Sequence, residues 1–227
     1  MLVVNWMSTR LVSIDPDASL GEALQLTRDY RVSRVVVVEN GKLVGILTDR
    51  DLKRADASEA APPTAEEIKR LHDKVKVRDI MTPNPYTAHI HETLEEAALT
   101  MLQRKVSGLP VVDDDDNPVA VITQSDVFRA LISLTGVTQG GVQFSLEMED
   151  VPGSLIRVAD VIRENGGRVV AILQSYDRVA PGWRRLFIRV KGLDHAQLGP
   201  LKEQLKSLGH LRYLVDSQEH SREIFPD

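Results

Sequence analysis

The feature that most constrains this chain is a repeated strand ending. Residues 45–52 read GILTDRDL and residues 120–127 read AVITQSDV, each an apolar run that stops at threonine with aspartate three residues on. Setting Met7 on Met81 brings Leu20 to Leu94, Glu22 to Glu96, Ala23 to Ala97, Val32-Ser33 to Val106-Ser107, and Val37-Val38 to Val111-Val112. The polar turn after Val112 carries one extra residue, after which Thr48 meets Thr123 and Asp51 meets Asp126. Two copies make a paired module, and a solenoid needs at least three. One copy of roughly fifty residues buries too little surface to be secure by itself, so the two must share a core.

Each copy reads in the same order. A short strand (11–14; 86–88) precedes SLGE at 19–22 or TLEE at 93–96. Both fit a capping box, in which a hydroxyl and a glutamate three residues on satisfy the free N–H groups of a helix start. Leu20, Ala23 and Leu24, and then Leu94, Ala97 and Ala98, recur at helical spacing. Two apolar strands follow (34–38; 109–113), and a short helix begins at the threonine motif. The unit is β-α-β-β-α, and its hydrophobicity is too continuous for strands wet on one face.

At the strand end, a carboxylate can accept hydrogen bonds from both hydroxyls of a ribose, and a threonine hydroxyl can reach a phosphate. The free N–H groups of the following helix also favour a phosphate. A second reading fits the same residues: threonine and aspartate cap the helix and do nothing else.

Formal net charge is −5 and the isoelectric point near 5.7, which argues against a nucleic-acid-binding surface. There is no cysteine, so thiol catalysis, iron–sulfur clusters and thiolate zinc sites are excluded. The opening MLVVNWMSTR lacks the cationic and long apolar segments of a signal peptide. No window approaches the ~20 apolar residues of a membrane span. A cytoplasmic protein is expected.

Catalysis finds no support. None of the six histidines lies beside a G-x-S-x-G elbow, and no glycine-rich phosphate loop is present. His89 and His91 are two apart, a spacing a metal pair can use, but no carboxylate cluster accompanies them in sequence, and they read as surface residues. Asp113 to Asp116 lacks the alternation and glycine of a calcium loop and reads as a hairpin turn. No catalytic residue and no metal site are expected.

With DIMT at 79–82, VSGLPVVD at 106–113 and the two strand-Thr-x-x-Asp endings, residues 1–135 resemble a tandem pair of CBS domains, the adenosine-nucleotide-binding Bateman module. The resemblance implies domains at 1–56 and 77–135, joined by a linker at 57–76. It also implies a ligand between the copies: AMP, ADP, ATP or S-adenosylmethionine. Carried onto this chain, one nucleotide cleft gathers Thr48, Arg50 and Asp51 with Thr82, Thr87, Val106 and Ser107, and Arg34 stands where relatives place a phosphate-binding base. The other gathers Thr123, Ser125 and Asp126 with Ser8, Ser13, Val32 and Ser33, and has Gly108 in the place of Arg34. Guanidinium groups bind phosphates tightly. The first cleft therefore suits a nucleotide, and the second an uncharged adenosyl group or nothing. In the linker, Pro62-Pro63 and then TAEE at 64–67 predict a short helix with Ile68 and Leu71 inward and His72 on the surface.

From Val142 the pattern changes. Val142, Phe144, Leu146 and Met148 alternate as in a half-buried strand. A helix follows DVPGSL, strands are expected at 168–173 and 186–190, a second helix carries Leu198, Leu201, Leu205 and Leu208, and a last strand holds Leu211, Tyr213 and Val215. The order βαββαβ is ferredoxin-like, and the whole chain is α+β. DVPGSL resembles the turn of an ACT domain over residues 141–217, with 218–227 as a tail. Glycine at that turn lets a ligand approach the backbone, so Asp150, Gly153 and Ser154 mark the expected position. Amino-acid binding and plain dimerisation fit equally. Two CBS copies followed by an ACT domain resemble the AcuB family of acetoin-utilisation regulators, although no residue implies acetoin chemistry. The expected protein is a homodimeric ligand sensor acting on an unidentified partner. The alternative is an interaction scaffold with empty clefts.

Overall fold

The computed structural model describes residues 1–56, 66 and 72–226, so the helix expected around Ile68 and Leu71 lies outside the described residues. The chain divides into two compact units, Met1–Phe128 and Arg129–Asp227.

In the first unit, one copy runs β1 (Ser13–Ile14), α1 (Leu20–Tyr30), β2 (Arg34–Glu39), β3 (Lys42–Thr48) and α2 (Asp49–Asp56). The other runs α3 (Val77–Ile80), β4 (Thr82–Pro83), β5 (Ala88–His89), α4 (Leu94–Arg104), β6 (Gly108–Val112), β7 (Pro118–Thr123) and α5 (Gln124–Thr135). Both predicted capping boxes form. Ser19 N donates to Glu22 Oε2 at 2.7 Å while Glu22 N donates to Ser19 Oγ at 3.2 Å. Thr93 and Glu96 repeat the pair at 2.9 and 3.2 Å. The helices also stop alike, on Arg31 and Lys105 in the left-handed conformation. Leu20, Ala23, Val37 and Leu47 are fully buried in one copy, and Leu94, Ala97, Val111 and Ile122 are buried in the other.

The lead-in segments are exchanged, which periodicity does not reveal. Residues 75–83 precede the second copy yet pack on the first: Leu20 N donates to Val75 O, Val77 N to Ala18 O, and Thr82 pairs with Ile46 of β3. Reciprocally, the N-terminal residues pack on the second copy, with Leu94 N donating to Met1 O, Val3 N to Glu92 O, and Ser8 N to Val121 O. The same contacts recur in both directions, so each copy completes the other.

The second unit runs β8 (Val142–Glu149), α6 (Ser154–Glu164), β9 (Arg168–Ser175), β10 (Trp183–Lys191), α7 (His195–Leu208), β11 (His210–Asp216) and β12 (Ser221–Ile224). The sheet order is β12-β11-β8-β10-β9, antiparallel throughout. Without β12 this is the ferredoxin-like arrangement. Phe144, Leu146 and Leu186 of the sheet meet Val158 and Ile162 of α6 and Leu201 and Leu205 of α7 in one core. The expected tail at 218–227 instead contributes the edge strand β12. Asp216 Oδ1 accepts from Gln218 N at 2.8 Å and Glu219 N at 3.3 Å, which turns the chain back along β11.

Candidate functional site

Both threonine–aspartate motifs build the same cap. Thr48 N and Oγ1 donate to Asp51 Oδ2, the first at 3.0 Å, and Asp51 N donates back to Thr48 Oγ1 at 3.4 Å. In the second copy the corresponding distances are 2.8 and 2.7 Å to Asp126 Oδ2 and 3.4 Å back to Thr123. The capping reading is therefore realised in each. It engages one carboxylate oxygen, and Asp51 Oδ1 has no hydrogen bond among the described residues. Asp51 is half-buried and Asp126 is buried.

Around Asp51 the two copies enclose a cleft of about 910 Å³. Seven of the eight residues assigned to it from sequence line it: Arg34, Thr48, Arg50, Asp51, Thr82, Val106 and Ser107. Thr87 is not among the lining residues; Ala88 points into the core, so strand alternation turns Thr87 to solvent. Sequence reasoning missed Arg54 and Lys105, which also line the cleft, and Tyr86 on its apolar side. Arg54 lies one helical turn past Arg50, a spacing that could have found it. Lys105 ends α4 immediately before the Val106-Ser107 segment. Tyr86 lies beneath the Arg104 guanidinium, 4.6 Å from ring centroid to Cζ.

Arg34 opens β2 directly across from Thr48. Its Nη1 donates to Ser33 Oγ at 3.2 Å and its Nη2 donates to Ser107 Oγ. Burial pushes its pKa down, and the charge of Asp126 opposes that shift. Ser33, assigned from sequence to the Asp126 cleft, also lines the Asp51 cleft, where its hydroxyl accepts from Arg34. The other residues assigned to the Asp126 side come from several elements, as those of the Asp51 cleft do. Ser8 runs beside β7, Ser13 is exposed on β1, Val32 follows the end of α1, and Ser125 is exposed in the first turn of α5.

His89 and His91 do have a carboxylate partner. The chain brings Asp114 of the hairpin to 3.3 Å from His89 Nε2 and 3.7 Å from His91 Nε2. Among the described residues no group of three is arranged to hold a metal ion.

In the second unit, Gly153 takes φ +80° with open space around it, so the turn itself requires glycine. Asp150 and Ser154 are joined by a polar cluster that sequence did not suggest. Buried Arg184 sets Nη1 3.0 Å from Asp150 Oδ1 and donates through Nη2 to Ser154 Oγ. Tyr176 Oη donates to Asp150 Oδ2 at 3.0 Å, and Gln174 accepts from Arg184 at 3.3 Å.

A family model for the CBS domain matches residues 3–58 and 77–133. A CBS domain-containing protein of Dictyostelium discoideum is 38% identical over 138 residues, which cover 59% of this chain and 93% of that protein. The chain belongs to the CBS-domain family. Among solved structures, a CBS domain pair in complex with 5′-methylthioadenosine and S-adenosyl-L-methionine is similar at 30% identity and TM-score 0.48, covering 58% of this chain and 99% of that one. CBSX2 in complex with AMP is similar at 31% identity and TM-score 0.48, covering 58% and 96%. The family match ends at residue 133, before the ferredoxin-like sheet begins.

Proposed function

We propose that this protein is a regulatory sensor that binds an adenine nucleotide in the Asp51 cleft. One observation carries the reading: four cationic side chains, Arg34, Arg50, Arg54 and Lys105, line the same cleft as a carboxylate with an oxygen left over from its cap. The carboxylate suits the ribose hydroxyls, the cations suit phosphate, and Tyr86, Ile46 and Leu109 offer apolar surface for a base. The volume is within the usual range for small-molecule sites. The adenosyl class is the one that the resemblance to CBS pairs implies. The Asp126 side, with Gly108 and Ser125 at the positions that match Arg34 and Arg50, takes an uncharged adenosyl group or nothing. Titration calorimetry on nucleotide-stripped protein with AMP, ADP, ATP, S-adenosylmethionine and adenosine decides the matter. Saturable heat is expected, and no heat with any of them would leave the interaction-scaffold reading.

The second unit is read as an ACT domain, giving an AcuB-like regulator, with acetoin utilisation as its setting and the cytoplasm as its location. No helix among the described residues is long and apolar enough to cross a membrane. Arg184 already holds Asp150, Ser154 and Gln174 beside the open glycine turn, so amino-acid sensing requires a ligand carboxylate to displace Asp150, and sensing and plain dimerisation stand as equal readings. A thermal-shift screen of the amino acids tests this, and Arg184→Ala should abolish any shift found. A homodimer is expected, because edge strands β9 and β12 invite pairing and closed two-fold dimers are the commonest oligomer. Light scattering that shows monomer at micromolar concentration would overturn it.

A further inference from the structure

The repeat is broken at one position in a way that perfect symmetry forbids. Arg34 and Gly108 are equivalent, each opening a strand across from its own copy's cap threonine, Thr48 or Thr123. The Arg34 side chain leaves its own copy and lies over Gly108: a Cβ on Gly108 would stand 3.0 Å from Arg34 Nε and 3.3 Å from Cζ. Side chains at both positions would contend for the same space. Gly108 is therefore the seat of Arg34, and the seat adjoins Thr123, whose hydroxyl donates to Asp126. The backbone of Arg34 thus belongs to the Asp51 motif while its guanidinium rests beside the Asp126 motif. Resting on the sensor reading above, we propose that Arg34 couples the two clefts. An anion bound at Asp51 draws the guanidinium off Gly108, and Asp126, facing less positive charge, becomes the stronger acceptor for ribose hydroxyls.

The field of Asp126 reaches Arg34, where it opposes the lowering of the guanidinium pKa by burial. Two serine hydroxyls, Ser33 and Ser107, hold the resting position. A phosphate makes charge-assisted bonds that neutral hydroxyls do not match, so the exchange of partners runs toward the ligand.

The test uses the full chain carrying Asp51→Ala, in which adenosine reports on the Asp126 side while the cations of the first cleft remain; Asp51→Asn serves if the alanine variant folds poorly. Adenosine is titrated by calorimetry with and without saturating inorganic pyrophosphate. Pyrophosphate should tighten adenosine by about fivefold or more, and by linkage adenosine should tighten pyrophosphate equally. Adding Arg34→Gln should abolish the tightening. Adding Arg50→Gln should weaken pyrophosphate but keep the tightening once it is saturating, since a direct field between ligands would survive either change. Absence of pyrophosphate binding, unchanged adenosine affinity, or full tightening without Arg34 each overturns the coupling while the sensor reading stands. If adenosine does not bind this variant, the Asp126 side takes no adenosyl group and the coupling is overturned; the sensor reading falls only if the unsubstituted chain binds none of AMP, ADP, ATP, S-adenosylmethionine and adenosine.

Discussion

The Thr48–Asp51 and Thr123–Asp126 caps are alike bond for bond, and their surroundings are not. Around the first stand Arg34, Arg50, Arg54 and Lys105. At the second motif Ser125 stands in the place of Arg50, and Asp126 is only 8% exposed. The shared motif thus accounts for local structure, a strand handed to a helix. Selection of a ligand falls to positions where the copies differ. A threonine–aspartate ending is therefore weak support for binding until its neighbours are known.

The sharpest way to break the comparison is to remove each carboxylate in turn. Asp51→Ala should weaken nucleotide binding by about 1.5–3 kcal/mol, the worth of a hydrogen bond to a charged group. Asp126→Ala should not weaken the first nucleotide, and it should lower stability by about 1–3 kcal/mol, because the half-buried Thr123 hydroxyl and N–H lose their acceptor. Calorimetry and chemical denaturation on both variants separate the two outcomes. Equal binding losses would mean that the clefts are equivalent.

A second difference lies beneath the exchanged segments. Gly45 in the first copy corresponds to Ala120 in the second, and a Cβ on Gly45 would stand 2.4 Å from Met81 Sδ. Gly45→Val should therefore overpack the first copy and cost about 1–3 kcal/mol. Ala120→Gly, at a fully buried position, should cost less, about 1 kcal/mol from strand entropy and a lost methyl. Equilibrium unfolding of the two variants ranks them, and an unaffected Gly45→Val would show that residues 75–83 do not press on β3 in solution.

Arg34→Ala should lower affinity for AMP by about 1.5 kcal/mol, the low end for a charge-assisted bond, since the guanidinium must leave two serine hydroxyls to reach a phosphate. Adenosine affinity at Asp51 should stay nearly unchanged. The ratio of AMP to adenosine dissociation constants is the measurement, and equal losses would mean that Arg34 acts through the fold and not on the phosphate.

How much of this was legible follows from the range of each interaction. The capping boxes, the β-α-β-β-α order and the ferredoxin-like order depend on near neighbours and on period, which sequence displays directly. The exchange of segments depends on contacts such as Leu94 with Met1 and Leu20 with Val75, which no local pattern encodes. Arg50 was found because it lies inside the motif, whereas Arg54 and Lys105 reach the cleft through a helical turn and a helix end. That Ser33 lines the Asp51 cleft is not expected from the repeat, which assumes symmetry, and the Arg34 side chain breaks that symmetry. The Arg184 cluster escaped notice because its members come from three separate segments of the second unit, joined only when the sheet forms. The Asp114 partner of the histidines arrives from a hairpin in the same way.

The smallest effect concerns the capping boxes. Glu22 is held below the ordinary glutamate range by the Ser19 backbone N–H, then by the Ser19 hydroxyl. Glu96 is held down by the Thr93 hydroxyl, then by the Thr93 backbone N–H. A carboxylate whose folded pKa lies below its unfolded value binds fewer protons when folded. Its contribution is present above the unfolded value, about pH 4.3, and is lost as pH falls through the folded value. Stability should therefore decline on acidification below about pH 4.3 partly through these two groups. Ser19→Ala should cost about 1 kcal/mol at neutral pH, as removal of a helix cap does, and should flatten the acid limb. Thr93→Ala should flatten it too, by less, because Thr93 is half-buried while Ser19 is buried, both glutamates being exposed. Thermal melts from pH 3 to pH 7 on the three proteins would show it. If the Ser19→Ala curve runs parallel to the wild type through the acid limb, the cap is worth the same with glutamate charged or neutral, and the matched caps contribute geometry without charge.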